Sequence, residues 1–389
     1  MSSEKIVTIS WLERLKQSVG GMVFGLVLIV AMVIMLFWNE GRAVQTARSL
    51  AEGAGLVSSV SSVSVEPANE GKLIHLTGPV TASAPVADAE FSVSAAGLQL
   101  MRRVEMYQWV EKSTTEKKVE LGGSETQVTK YSYEMQWSEF PQDSSKFNEA
   151  DAHANPPMAI ERQTFGVVTA TLGGWSLDSA VIDRIGGSRD FAVPAEQAEA
   201  VQQAIGAGIR ASVVEGKIYL GVNPSQPSLG DYRVSYQYVP LDTISVVGRQ
   251  RGTGIADYQT ESGDKLLIVH NGSVSAAEMF DAAASSNSTM TWAMRIAGIA
   301  LLVLGFSSVF GPLSVAASVL PFLGSILAFG TGIIAAIAGV SLGSLTIAVA
   351  WFFYRPLVAL AIIAVGAAIG GGLLFLAKRR KANAPAASA

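Results

Sequence analysis

The 389-residue chain is predicted to be an α+β membrane protein, with one N-terminal and three C-terminal transmembrane helices and a large β-rich extracytoplasmic domain between them. Three observations predict this. The charges are segregated: residues 39–290 hold 30 of the 32 acidic and 19 of the 28 basic residues, a net of −11, whereas residues 291–377 hold only Arg295 and Arg355. A stretch so poor in charge does not make a water-exposed surface. Gly20–Trp38 is an uncharged apolar run of 19 residues, enough to cross a hydrocarbon core of ~30 Å. Residues 55–285 alternate short β-branched and aromatic runs with Gly, Pro and Asn breaks, the pattern of strands and turns.

The leader, residues 1–19, is basic-leaning and carries Ser10 and Glu13 at capping-box spacing, which predicts a helix running into the first span. That span, 20–38, ends in Phe37-Trp38-Asn39-Glu40 rather than a small-residue cleavage site, so it reads as an uncleaved anchor and not as a secretory signal. Val44, Ala47, Leu50 and Ala51 then follow at helical spacing. In the domain at 39–290, strands are predicted at Lys72–Thr77, Val104–Val110, Thr126–Trp137, Lys217–Gly221, Tyr232–Val239, Ile244–Arg249 and Leu266–His270. Helices are predicted at Pro194–Ala207 and near Ser275–Ala284. Gly71-Lys72-Leu73-Ile74 echoes Gly216-Lys217-Ile218-Tyr219, which raises the possibility of two related subdomains.

The membrane region, 291–377, is predicted to hold spans at about 294–310, 325–353 and 357–376. Residues 311–324, with Pro312 and Pro321 and no charge, read as a cytoplasmic turn or a re-entrant segment. The tail, 378–389, begins with Lys378-Arg379-Arg380-Lys381. Basic residues flank the spans in both leader and tail, so both ends are expected in the cytoplasm and the acidic domain outside it.

The chain has no Cys, which excludes disulfides, thiolate metal sites and a Cys nucleophile. His75, His153 and His270 leave little for a histidine metal site; His153 beside Asp151 is the one weak candidate. A net charge of −4 argues against nucleic acid. No nucleophile elbow, P-loop or zincin motif occurs, so no enzyme activity, catalytic residue, cofactor or metal is expected.

Candidate residues lie in two places. Small residues recur four apart in the spans: Gly21 and Gly25, then Ala335, Gly339 and Gly343, then Gly366 and Gly370. In lipid, helices associate where small residues let backbones approach, within one chain or between copies. Arg355, between two spans, either snorkels to the interface or pairs with an acid of the domain, docking it on the membrane. In the domain, strand alternation puts Val104, Met106 and Gln108 on one face and Glu105, Tyr107 and Trp109 on the other. The second set, with Arg102 and Arg103 beside it, forms either a partner-binding edge or an ordinary half-buried strand with salt bridges.

Several runs together resemble the transmembrane protein 43 family, also called LUMA. They are Asn39-Glu40-Gly41-Arg42-Ala43, Arg102-Arg103-Val104-Glu105-Met106-Tyr107-Gln108-Trp109, Leu172-Gly173-Gly174-Trp175, Gly230-Asp231-Tyr232-Arg233-Val234, Thr291-Trp292-Ala293-Met294-Arg295 and Tyr354-Arg355-Pro356-Leu357. The resemblance implies one span, a large lumenal or periplasmic domain and three further spans. It implies no catalytic residues. Eukaryotic members reside in the endoplasmic reticulum and inner nuclear membrane, where they bind emerin and lamins and organise membrane-protein complexes. The Ala/Gly-rich, Lys-poor composition points instead to a bacterial member, in an inner membrane with a periplasmic domain.

Three functions are open to such a chain. A non-enzymatic membrane scaffold is favoured, with lipid, other membrane proteins and further copies of itself as partners. An envelope enzyme using carboxylates of the domain is the alternative. A channel or transporter is disfavoured, because the spans lack the Asp, Glu or His that coupling uses.

Overall fold

The computed structural model describes residues 2–206, 208–361, 363–366, 368, 369 and 372. They form two units: a β-rich one, Met1–Val7, Ser49–Lys117 and Gln127–Ala283, and a helical one, Thr8–Arg48, Lys118–Thr126 and Ala284–Ala389.

In the β-rich unit the larger sheet is built on β3 (Gly97–Val119), flanked by β4 (Glu125–Ser138) and β11 (Tyr232–Pro240). Beyond β4 lies β1 (Ser2–Ile9), and beyond β11 lie β10 (Lys217–Leu220) and β9 (Ala211–Val214). Two short strands join it: β8 (Arg189–Phe191) on β11 and β5 (Gln163–Gly166) on β3. The expected alternation holds along β3, where Leu98, Leu100, Val104, Met106 and Gln108 are buried. Of these, Leu100, Val104 and Met106 pack with Phe91, Ile218, Val234 and Tyr236 and with Val201 of the helix α2 (Ala198–Ile205). Each such side chain contributes about 1.5–3 kcal/mol by leaving water.

The second sheet closes on itself. β2 (Leu73–Ala82) pairs with β6 (Ala170–Leu172), β6 with β7 (Trp175–Leu177), β7 with β13 (Gly254–Ala256), β13 with β12 (Thr243–Arg251), and β12 with β2 again. The edge strand β14 (Ile268–Asn271) adds to β12. Trp175, fully buried, fills this ring, and its indole N–H donates to the Ser61 carbonyl. The β6–β7 turn needs glycine: Gly173 has φ +59, and a side chain there would strike the Ser62 carbonyl. The echo of Gly71 and Gly216 is local turn chemistry. Both adopt positive φ ahead of a strand, one in each sheet.

The helical unit holds most of α1 (Trp11–Leu56), α3 (Ala276–Ala317) and α4 (Pro321–Tyr354). All three are long and apolar enough to cross a membrane, and Pro356–Gly366 is a shorter apolar helix over its described residues. The boundaries differ from expectation. The first span and the amphipathic segment after it are one helix of 46 residues. It starts as its capping spacing predicts, with the Glu13 N–H on the Ser10 hydroxyl at 3.3 Å. Of residues 311–324, 311–317 are helix continuing α3 and 321–324 are the first turn of α4. The α3 helix runs through Pro312, and only a short break precedes Pro321 at the head of α4. Proline does not end the helix because any other backbone in an apolar setting leaves more unpaired groups. The Lys378–Lys381 run lies outside the described residues.

The leader is not one segment. Residues 2–9 form a strand of the larger sheet before α1 begins. The tip of the β3–β4 hairpin, Lys118–Thr126, belongs to the helical unit. Arg14 there pairs with Glu125 at 3.3 Å and donates to the Ser318 hydroxyl at 3.0 Å, and the Gly122 N–H donates to the Val319 carbonyl. Arg14, residues 118–126 and the end of α3 are thus brought together, a proximity that a charge count over loops does not detect.

Candidate functional site

Three of the motifs quoted above meet in the helical unit. Asn39-Glu40-Gly41-Arg42 lies on α1, Thr291 to Arg295 on α3, and Trp351 to Tyr354 at the end of α4. Glu40, fully buried, takes both prongs of the Arg295 guanidinium, Nε at 2.6 Å and Nη2 at 2.7 Å. Trp351 donates its indole N–H to the same carboxylate at 2.8 Å. The guanidinium also stacks on the rings of Trp292 and Trp351, at 4.7 and 5.5 Å. One carboxylate therefore joins all three helices, and two indoles cover the cation.

A polar lattice continues from this pair. Arg42 donates to the side-chain oxygens of Asn287, Asn39 and Thr291, at 3.0–3.2 Å. Asn287 donates to the Ala43 carbonyl and Asn39 to the Thr291 carbonyl. Gly41 admits the Tyr354 ring, which would lie 2.7 Å from any added Cβ. Tyr354 and Phe353 both pack on Phe37. A buried ion pair costs desolvation on both partners, and only bidentate geometry with further hydrogen bonds offsets it. Both conditions are met here.

Below the junction, small residues set the helix contacts. A Cβ on Gly25 would sit 2.5 Å from the Gly305 carbonyl oxygen, and one on Gly339 2.7 Å from the Val303 nitrogen. Gly343 faces Ile299 as closely, and Ala335 is fully buried. These stripes are thus taken up within the chain. Gly21 and Gly366 have open space beside them, and Gly370 lies outside the described residues. Arg355 caps α4 through its backbone, its N–H on the Trp351 carbonyl, and takes no part in the junction.

The second group of candidates divides. Arg102 is buried and ion-paired with Asp88 at 3.0 Å and Glu90 at 2.6 Å, under the rings of Phe91 and Phe165. The Tyr236 hydroxyl donates to the same Asp88, and burial, then that carboxylate, pushes the phenol's pKa up. Glu105 binds Arg233 through two bonds, and Arg233 lies over Trp137, which in turn packs on Tyr107. Trp109 packs edge-on against His153, itself stacked on Tyr133. His153 gives its Nδ1 to the Glu149 carbonyl. Arg103 points into an open cleft.

Glu40 and Arg295 were not singled out as a site from sequence. The available signal was Arg295 itself, one of two charges in a long apolar stretch, which requires a named partner. The nearest carboxylate beyond the first span is Glu40.

A family model described as Transmembrane protein 43 matches residues 106–356. The chain is 35% identical to the rat Transmembrane protein 43 over 359 residues, covering 89% of this chain and 88% of the relative. It is 35% identical to the human one over 365 residues, 90% and 89% covered. Against the Drosophila melanogaster homologue it is 27% identical over 367 residues, 88% and 91% covered. No solved structure matches.

Proposed function

The chain belongs to the transmembrane protein 43 family, and on that footing we propose that it is a non-enzymatic scaffold that organises other membrane proteins. The observation that carries this reading is the Glu40–Arg295–Trp351 junction. It makes α1, α3 and α4 a preassembled unit. The outward faces of that unit, with Trp292, Phe329, Ile333 and Ile337 exposed, remain apolar and available to neighbours in the bilayer. The junction is suited to holding helices and has no open position for a reacting molecule, since every oxygen of Glu40 is occupied by Arg295 or Trp351.

The test is photo-crosslinking in the native membrane, with the reactive residue at Phe329 or Ile337. Discrete adducts with the same membrane proteins are expected at both positions, and Glu40→Ala should abolish them. Adducts to lipid alone at both positions would overturn the scaffold reading.

A further inference from the structure

A cleft of about 370 Å³ opens on the outward face of the larger sheet. Its floor is a row across three strands. Arg103 of β3 pairs in register with Ser235 of β11. On the other side of β11, Ile218 of β10 pairs with Val234, which brings Lys217 opposite Ser235. With strands ~4.8 Å apart, the row is about 10 Å long and presents three donors on one face. Among the described residues, none of the Arg103 guanidinium, Ser235 hydroxyl and Lys217 ammonium has a hydrogen-bond or ion-pair partner.

The neighbouring charges are accounted for differently. Arg102, one residue away, is neutralised by Asp88 and Glu90. Glu105 is held by Arg233, and Asp190 accepts from Gln237 at 2.9 Å. That leaves the two cations on the floor facing three carboxylates on the lining, Glu139, Glu215 and Asp190, the last hydrogen-bonded only to a neutral amide. Glu215 is held in a left-handed turn, φ +51, two residues before Lys217. Unpaired charge of both signs in one open cleft is complementary to a ligand carrying both signs.

We propose that this cleft binds a short peptide as a zwitterion, its carboxylate on Arg103, Ser235 and Lys217 and its ammonium toward Glu139 and Glu215. Two charge-bearing donors on either side of a hydroxyl suit the two oxygens of a carboxylate. The assignment is independent of the scaffold reading, which concerns the helical unit.

The experiment is calorimetric titration of the full chain in nanodiscs with the dipeptide alanyl-alanine. Saturable binding is expected, weakened at least about tenfold when the dipeptide is acetylated at its amine or amidated at its carboxylate. Arg103→Ala and Lys217→Ala should each weaken binding about tenfold with an unchanged thermal midpoint, and Arg103→Lys should retain part of it. No saturable binding, or binding that survives both alanine variants, would overturn the proposal. So would inorganic phosphate binding more tightly than the dipeptide, which would make the row a simple anion site.

Discussion

Two arginines in this protein are buried with carboxylates and capped by aromatic rings, and they do different work. Arg102 has two acids, Asp88 and Glu90, and lies within a sheet core that also buries Phe91, Leu100, Val104 and Tyr236. Arg295 has one acid, Glu40, in a bundle whose apolar surfaces gain nothing by leaving lipid for one another. In the sheet, apolar burial holds the fold and the charged pair tunes it. In the bundle, close packing and the polar junction supply the association.

The comparison is broken most strongly at Glu40. Glu40→Ala leaves Arg295 buried without a counter-charge, and breaking such a pair costs about 3–5 kcal/mol. We expect thermal unfolding in detergent to shift downward accordingly, with α1 separating from α3 and α4. The double variant Glu40→Leu with Arg295→Met should recover most of the loss, because it removes the desolvation cost of both ions. Failure to recover would mean that the ion pair itself, and not merely the absence of a lone charge, sustains the bundle.

Overpacking comes next. Gly339→Leu pushes a side chain into the α3 backbone at Val303, and Gly343→Leu into the Ile299 and Leu302 side chains, at about 1–3 kcal/mol each. Gly21→Leu and Gly366→Leu, with open space beside them, should leave the detergent melting curve unmoved. Equal effects at all four positions would show that intramolecular packing is not what these residues serve.

The matching change in the sheet is smaller. In Asp88→Asn, Arg102 keeps Glu90, the Glu161 carbonyl and Gln163, so we expect about 1–2 kcal/mol from the weakened hydrogen bonds. A loss as large as that of Glu40→Ala would erase the distinction between the two regions.

A pH titration sharpens the same point. The Tyr236 phenol is held above its ordinary value of 10.0 by burial and by Asp88. A raised folded pKa contributes stability in full below pH ~10, and that contribution is lost as pH rises further, because the unfolded chain releases its proton first. Stability of the β-rich unit should therefore fall above pH ~10, by at most about 1.4 kcal/mol per pH unit for this one group. Tyr236→Phe should flatten that limb of the curve.

The smallest change is Trp351→Phe, which removes one donor from Glu40 while Arg295 remains. We expect about 0.5–1.5 kcal/mol in the same detergent melt.

What the amino-acid sequence determined alone is what short-range physics encodes. Hydropathy over 20–38 and 291–377 marked the membrane segments, and alternation from Val104 to Trp109 separated the buried from the open face of β3. Ser10 with Glu13 marks a helix start because a capping bond spans three residues. The end of α3 came out differently, because it depends on what packs there. The charge partners were decided only by the tertiary structure. Arg102 and Arg103 are identical in type and adjacent, yet one faces Asp88 in the core and the other an open cleft, and strand alternation alone cannot say which face has a carboxylate waiting. Glu40 and Arg295 lie 255 residues apart, so no local pattern couples them. Their pairing exists only because two helices cross at that level, and electrostatics acts through space and not along the chain.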